Sequence, residues 1–221
     1  LPSELKDKLI LGIETATINC SVSLVDGEKV IGQKNLVGRA VHSEKLIELI
    51  DSLINPDWSF LAITAIAISI GPGSYTGLRI GLATAKGLVF VDNKPLLPIP
   101  TLTILETVAR SETDKKAVFF IKSHRDLVYY TVAAENEPLV LRRPVAHDQI
   151  GTIARTYPEH LLIGDDAFDG QFSERLKVRF PAGEVAALLA VRFYPELVQL
   201  SRPDLEPDYY SNLEAKIWPT R

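Results

Sequence analysis

Gly71-Pro72-Gly73-Ser74-Tyr75-Thr76-Gly77-Leu78-Arg79-Ile80-Gly81 is the stretch on which the reading of this chain turns. It follows Ala65 to Ile70, an apolar run with the length of a buried strand, and opens a helical pattern over Thr76 to Val91. Gly71 and Gly73 allow a tight turn, and Ser74 or Thr76 can cap the helix. Free N–H groups at such a helix start can hold an anion, with Arg79 close in sequence. The stretch ends in neither Gly-Lys-Ser/Thr nor a dinucleotide fingerprint. Gly77, Gly81 and Ala85 recur at four-residue steps, a small-residue stripe that lets another helix come close. Leu78, Leu82 and Val89 lie on a neighbouring face and suit a sheet core. The stripe therefore fits either packing within the chain or docking of a second subunit.

Upstream, Leu9 to Ile13 is apolar, Cys20 to Val25 alternates, Asp26-Gly27 signals a hairpin, and Lys29 to Gln33 returns. This predicts three antiparallel strands. Glu14-Thr15-Ala16-Thr17 lies between the first two and combines a carboxylate with hydroxyls, a turn able to seat a metal–phosphate group. The candidate anion or phosphate loop is therefore Glu14, Thr15, Thr17, Gly73, Ser74 and Arg79. Past Gly38, Leu46, Leu49, Ile50, Leu53 and Ile54 mark one face of a helix from His42, stopped by Asn55-Pro56-Asp57. A strand over Lys94 to Pro98 and a helix over Thr101 to Arg110 complete a βββαβαβα unit.

The second half reads as a degraded copy of the first. Ala117 to Lys122 and Val128 to Ala133 are strands flanking Ser123-His124-Arg125-Asp126, with Leu139 to Arg142 as a third. His147 to Tyr157 is helical, Leu161 to Gly164 is a strand running into Asp165-Asp166, and Ala182 to Tyr194 is helical. The expected organisation is an α/β lobe over 9–110, a degenerate lobe over 115–200, and a tail over 201–221 packing back on the first lobe.

Composition bounds the function. With 221 residues and 46% apolar content, the chain can bury a sizeable core, unlike a disordered segment. A net charge of −4 argues against stand-alone nucleic-acid binding, which draws on basic faces. Arg142-Arg143 reads as a solvated pair. No apolar run reaches membrane-spanning length. The chain starts at Leu1 and has no Met, so Leu1 to Lys8 reads as part extension or leader, too charged for a secretory signal.

A single cysteine, Cys20, rules out an internal disulfide framework and suits a small core residue better than a nucleophile. The four histidines are His42, His124, His147 and His160, and no two stand at helical metal-ligand spacing. Position 46, one turn after His42, is leucine. Neither Ser74 nor His124 with Asp126 has a nucleophile context such as Gly-x-Ser-x-Gly.

Ile13-Glu14-Thr15-Ala16-Thr17, Cys20-Ser21-Val22-Ser23-Leu24, His42-Ser43-Glu44 and above all Gly71 to Gly81 resemble the bacterial TsaB family, also called YeaZ. The likeness is dense over Leu9 to Thr101 and looser at Asp126 to Tyr130 and Pro207 to Tyr210. The resemblance implies an actin-like, ribonuclease-H-like (ASKHA) fold of two related lobes. It implies a cytoplasmic role in making threonylcarbamoyladenosine beside the transfer RNA anticodon, with no cofactor and no catalysis of its own. The partners implied are a metal-bearing TsaD-type catalytic subunit and a TsaE-type ATPase. The resemblance further implies a homodimer when the chain is alone, and transfer RNA contact, if any, mainly through the assembled complex. The docking surface implied lies on the first two helices, here His42, Leu46, Leu49, Ile50, Leu53, Gly77, Gly81 and Ala85. The competing expectation is a small actin-like ATPase or kinase, with Glu14 on the metal side and the Gly164 region seating adenosine.

Overall fold

The computed structural model describes residues 8–38, 41–54, 59–90, 92–172 and 174–210. The helix stop at Asn55-Pro56-Asp57, the leader ahead of Lys8 and the tail beyond Tyr210 lie outside the described residues.

The first sheet runs in the order β3-β2-β1-β4-β5, from β1 (Leu9–Glu14), β2 (Asn19–Asp26), β3 (Lys29–Val37), β4 (Ala65–Ser69) and β5 (Leu96–Ile99). β1 pairs antiparallel with β2 and parallel with β4, with Gly12 opposite Ser23 and Ala67. The alternation of β1 splits its side chains between two cores. Leu9, Leu11 and Ile13 face the helices α1 (Val41–Ile54) and α2 (Tyr75–Phe90), whose Leu46, Ile50, Leu82 and Ala85 share that core. Ile10 faces the other core with Ala65, Ala67 and Ile99. The periodicity places these helices within a residue of where they form, because a 3.6-residue apolar face has only a sheet to rest on.

The second sheet repeats the design as β10-β9-β6-β7-β8. Its members are β6 (Ala117–His124), β7 (Leu127–Ala133), β8 (Ala146–Gln149), β9 (Leu161–Gly164) and β10 (Leu176–Val178). In both halves a three-strand meander comes first, and the fourth strand returns parallel beside the first. The fully buried pair Phe119 and Phe120 point to opposite faces of this sheet. Phe119 meets Leu102, Leu105 and Ala109 of α3 (Thr101–Arg110), and Phe120 meets Ile150, Ile153 and Ala154 of α4 (Ile150–Thr156). Burying a ring of this size contributes about 1.5–3 kcal/mol. Helix α3 also sends Ile104 into the second core of the first sheet, so it is shared by both halves.

Three expectations need correction. The third strand of the second half is β8, not Leu139 to Arg142. β8 is a mostly exposed edge strand and carries no apolar alternation. The helix expected from His147 starts only at Ile150. The lobe boundary at 200 also fails. Helices α5 (Gly183–Arg192) and α6 (Tyr194–Leu200) leave the second sheet and cover the open face of the first. That sheet is apolar on both faces, and α1 and α2 can cover only one. The contact is close because Gly12 and Gly183 face each other, and a Cβ on Gly12 would collide with the Gly183 carbonyl. After α6 the chain crosses back. Leu205 enters the α1–α2 core and the Asp208 N–H donates to the Ile70 carbonyl at 2.7 Å.

Candidate docking face and loop junction

Glu14 ends β1 and is fully buried. Its Oε1 accepts the Ala16 N–H at 2.6 Å, and its Oε2 has no partner. Burial pushes its carboxyl up to about 7, against the hydrogen bonds from Ala16 and Ser69, and the charge of Asp165 adds to the rise. Asp165, just after β9, is likewise pushed up to about 7 by burial, although it accepts the Lys122 N–H at 2.7 Å. The two halves therefore bring one carboxyl each to the same region.

Several neighbouring amides bond within the chain. Thr15 N–H donates to Ser69 Oγ at 3.4 Å and Asn19 N–H to Thr17 Oγ1 at 3.3 Å. Ser74 N–H donates to the Ala16 carbonyl at 2.6 Å, and Gly77 N–H to Ser74 Oγ at 3.2 Å. Gly71, at φ +118°, has a backbone only glycine adopts readily, and its N–H donates to Thr101 Oγ1 at 3.1 Å. Arg79 stands on the outer side of α2. Its guanidinium lies 4.0 Å from the centre of the Tyr75 ring, and its Nε donates to the Tyr209 hydroxyl at 2.9 Å. Glu14, Thr15, Thr17, Gly73, Ser74 and Arg79 thus do not form one anion loop. The first five lie in one junction, where Ser74 bonds to the Ala16 carbonyl while Glu14 Oε2 and Thr15 Oγ1 have no partner among the described residues, and Arg79 is turned to the aromatic side.

The small-residue stripe faces inward. A Cβ on Gly77 would collide with the Thr15 carbonyl, and one on Gly81 with Thr15 Oγ1. Ala85, Leu46 and Ile50 lie in the core under both helices, while Leu49 and Leu53 pack against its edge. The eight residues expected at a partner interface are therefore covered largely by their own chain. Small residues let α2 lie directly on the β1–β2 turn. His42 is buried beneath the same turn, where burial lowers its pKa against hydrogen bonding to the backbone of Asn19 and Thr17.

The other chemical candidates stand apart. Cys20 is buried, and burial followed by the charge of Glu14 pushes its thiol up to about 11. His124 ends β6 and Asp126 lies in the β6–β7 turn, both exposed. At Gly164, in the region expected to seat adenosine, the Phe120 ring occupies the space a Cβ would need. Among the described residues no cluster of three His, Cys, Asp or Glu side chains could hold a metal ion. No described helix is long and apolar enough to cross a membrane.

What α1 and α2 present outward was missed in the sequence. Ile47 is 60% exposed and Phe90 is 87% exposed. Between the helices lies a hollow of about 420 Å³ lined by Ile47, Ile50, Ile54, Phe60 and Leu88. The signal was present: Ile47 is apolar yet out of phase with the stripe of Leu46, Leu49, Ile50 and Leu53. An apolar residue on the wrong side of an amphipathic helix suits a partner better than a core.

Comparison with known proteins adds the family context. A family model described as "TsaD: tRNA N6-adenosine threonylcarbamoyltransferase" matches residues 36–202. The Escherichia coli "tRNA threonylcarbamoyladenosine biosynthesis protein TsaB" is 25% identical over 92% of this chain and 94% of its own length. The Haemophilus influenzae protein of the same name is 34% identical, over 45% of this chain and 42% of its own length. The solved structure "YeaZ from Pseudomonas aeruginosa" superposes with a TM-score of 0.74 at 23% identity, over 91% of this chain and 99% of that one. That likeness establishes the two-lobed actin-like architecture.

Proposed function

The chain belongs to the TsaB (YeaZ) family and to the wider family that the TsaD model describes, and from that premise we propose that it is a non-catalytic docking subunit. It takes part in transfer RNA threonylcarbamoyladenosine biosynthesis in the cytoplasm. The reading assigns it a metal-bearing TsaD-type transferase as partner, with a TsaE-type ATPase joining and self-association when the partner is absent.

One observation carries this reading: α1 and α2 leave Ile47 and Phe90 in solvent, and Ile47 lines a hollow with Ile50, Ile54, Phe60 and Leu88, beside Asp51 and Ser59. Exposed aliphatic and aromatic side chains around a groove are the anchors from which interfaces draw most of their affinity. The docking face is thus the outer surface of the two helices that the sequence pointed to, carried by Ile47, Phe60, Leu88 and Phe90 in place of the inward stripe. The buried Leu46 supports the non-catalytic part, because it leaves His42 without a second ligand one turn away.

The test is Ile47→Asp, measured by calorimetry against the TsaD-type subunit and by a reconstituted modification assay. A buried charge at an interface centre should weaken binding by roughly a hundredfold, with the melting temperature of the isolated chain little changed. Full affinity in the folded variant would remove this face from the interface. Modification activity of the chain without any partner would defeat the non-catalytic reading.

A further inference from the structure

The two halves meet along a groove of about 390 Å³. The Pro72–Tyr75 loop forms one wall, Lys122, Ser123 and Tyr129 form the other, and the strap Asp208–Tyr210 crosses it. The aromatic content is high. Tyr75 and Tyr209 have ring centres 5.1 Å apart, and Tyr129 and Tyr210 6.2 Å apart. Tyr75, Tyr209 and Tyr210 are 45%, 37% and 39% exposed, so these rings are not simply core. A second hollow of about 450 Å³ lies against the same strap, lined by Arg142, Pro207, Asp208, Tyr209 and Tyr210. Tyr209 and Tyr210 thus border both hollows.

Charge narrows the occupant. Arg142 is held by Asp208 at 2.8 Å and Lys122 by Asp166 at 2.7 Å. Arg79 is held by the Tyr75 ring and the Tyr209 hydroxyl rather than by a carboxylate. One such cation among carboxylates suits a singly charged phosphodiester better than a triphosphate. Exposed aromatic faces beside a guanidinium are the chemistry by which proteins hold unstacked bases. Two hollows that share one strap suit a chain running along it better than a closed nucleotide seat.

We infer that this interlobe groove takes an unstacked base of single-stranded RNA, with Tyr75, Tyr209 and Tyr210 as stacking surfaces and Arg79, outside the lining but against Tyr75 and Tyr209, meeting the phosphate at its rim. The choice of RNA rests on the reading that the chain works in transfer RNA modification.

The experiment uses the full chain and a fluorescein-labelled anticodon stem-loop RNA, followed by anisotropy at low salt, with a blunt duplex of equal length as control. The stem-loop should bind and the duplex should bind more weakly. Tyr209→Ala should weaken stem-loop binding by roughly tenfold or more, and Tyr209→Phe, which keeps the ring, by about threefold at most. Arg79→Ala should weaken binding and lower its salt dependence by about one phosphate contact. Tyr210→Ala is the second variant should Tyr209→Ala melt early. Equal binding of duplex and stem-loop, or stem-loop binding unaffected by loss of either tyrosine ring, would overturn the assignment. So would AMP binding in the groove by a chain that does not bind the stem-loop. Co-purification with the TsaD-type subunit is followed in parallel. No RNA binding by a chain that still docks sinks the groove alone, whereas lost docking with RNA binding intact sinks the docking reading alone.

Discussion

The two halves share one strand order but differ after the fourth strand. In the first half β4 runs through Gly71–Ser74 into the 16-residue α2. In the second half β9 runs through Asp165–Ala167 into a single 3-10 turn, Phe168–Gly170, and the three-residue β10. The first half can therefore offer long helices to a partner. The second has Phe168 and Phe120 sealing the equivalent place, with ring centres 5.7 Å apart. A repeated topology fixes where the chain turns, and the residues at each turn decide whether that place becomes a surface or a plug. The halves are also unequal in closure, since the first borrows α5 and α6 to cover its second face.

The largest expected effect comes from cutting the tie between the halves. Glu106 of α3 is 1% exposed and takes Arg143 in a two-pronged pair, Nε to Oε2 at 2.9 Å and Nη2 to Oε1 at 3.1 Å. Glu106→Ala leaves Arg143 buried beside Glu137 alone and should cost about 3–5 kcal/mol. Urea denaturation checks this. If the halves were independent units, the transition would split in two; a single transition at lower urea means that they unfold together.

The second effect lies where each half contributes a carboxyl. Glu14 and Asp165 both have folded pKa values near 7, above their ordinary 4.5 and 3.8. A carboxyl whose pKa rises on folding binds its proton more tightly in the native state. Its stabilising contribution is complete below the unfolded pKa and is lost as pH climbs through 7. The chain should therefore lose stability as pH rises from about 4 to about 7, by an amount on the order of 3 kcal/mol for Glu14. Glu14→Gln should flatten this loss and raise the melting temperature at the alkaline end. An unchanged pH profile in that variant would show that burial does not raise the Glu14 carboxyl as described.

The smallest effect tests the inward stripe of the first half. Gly81→Ala should cost about 1–3 kcal/mol through collision with Thr15. Gly87, in the same helix, has nothing within 4 Å of an added Cβ. Gly87→Ala should gain up to about 1 kcal/mol from helix propensity alone. Opposite signs in thermal melts would place Gly81 against the core; equal gains at both would return the stripe to the outside.

The sequence by itself determined the duplicated α/β plan, the early helices, the glycine-rich loop and the family. These are local: apolar period, turn residues and a run of motif residues are read within a dozen positions. For the proposed docking face it named residues of α1 and α2 that turn inward. Four-residue spacing reveals that a helix has a small-residue face and is silent on what lies against it. It also placed Glu14 and Ser74 in an anion loop, because it cannot show whether an amide is already bonded to its own chain. Only the tertiary structure decided that α5 returns to the first sheet, that Phe120 fills the space over Gly164, and that Tyr75 meets Tyr209 across the groove. Those contacts join residues far apart in the chain. Their partners were chosen by which apolar faces remained uncovered once the local elements had formed, a property of the assembled layers and of no single segment.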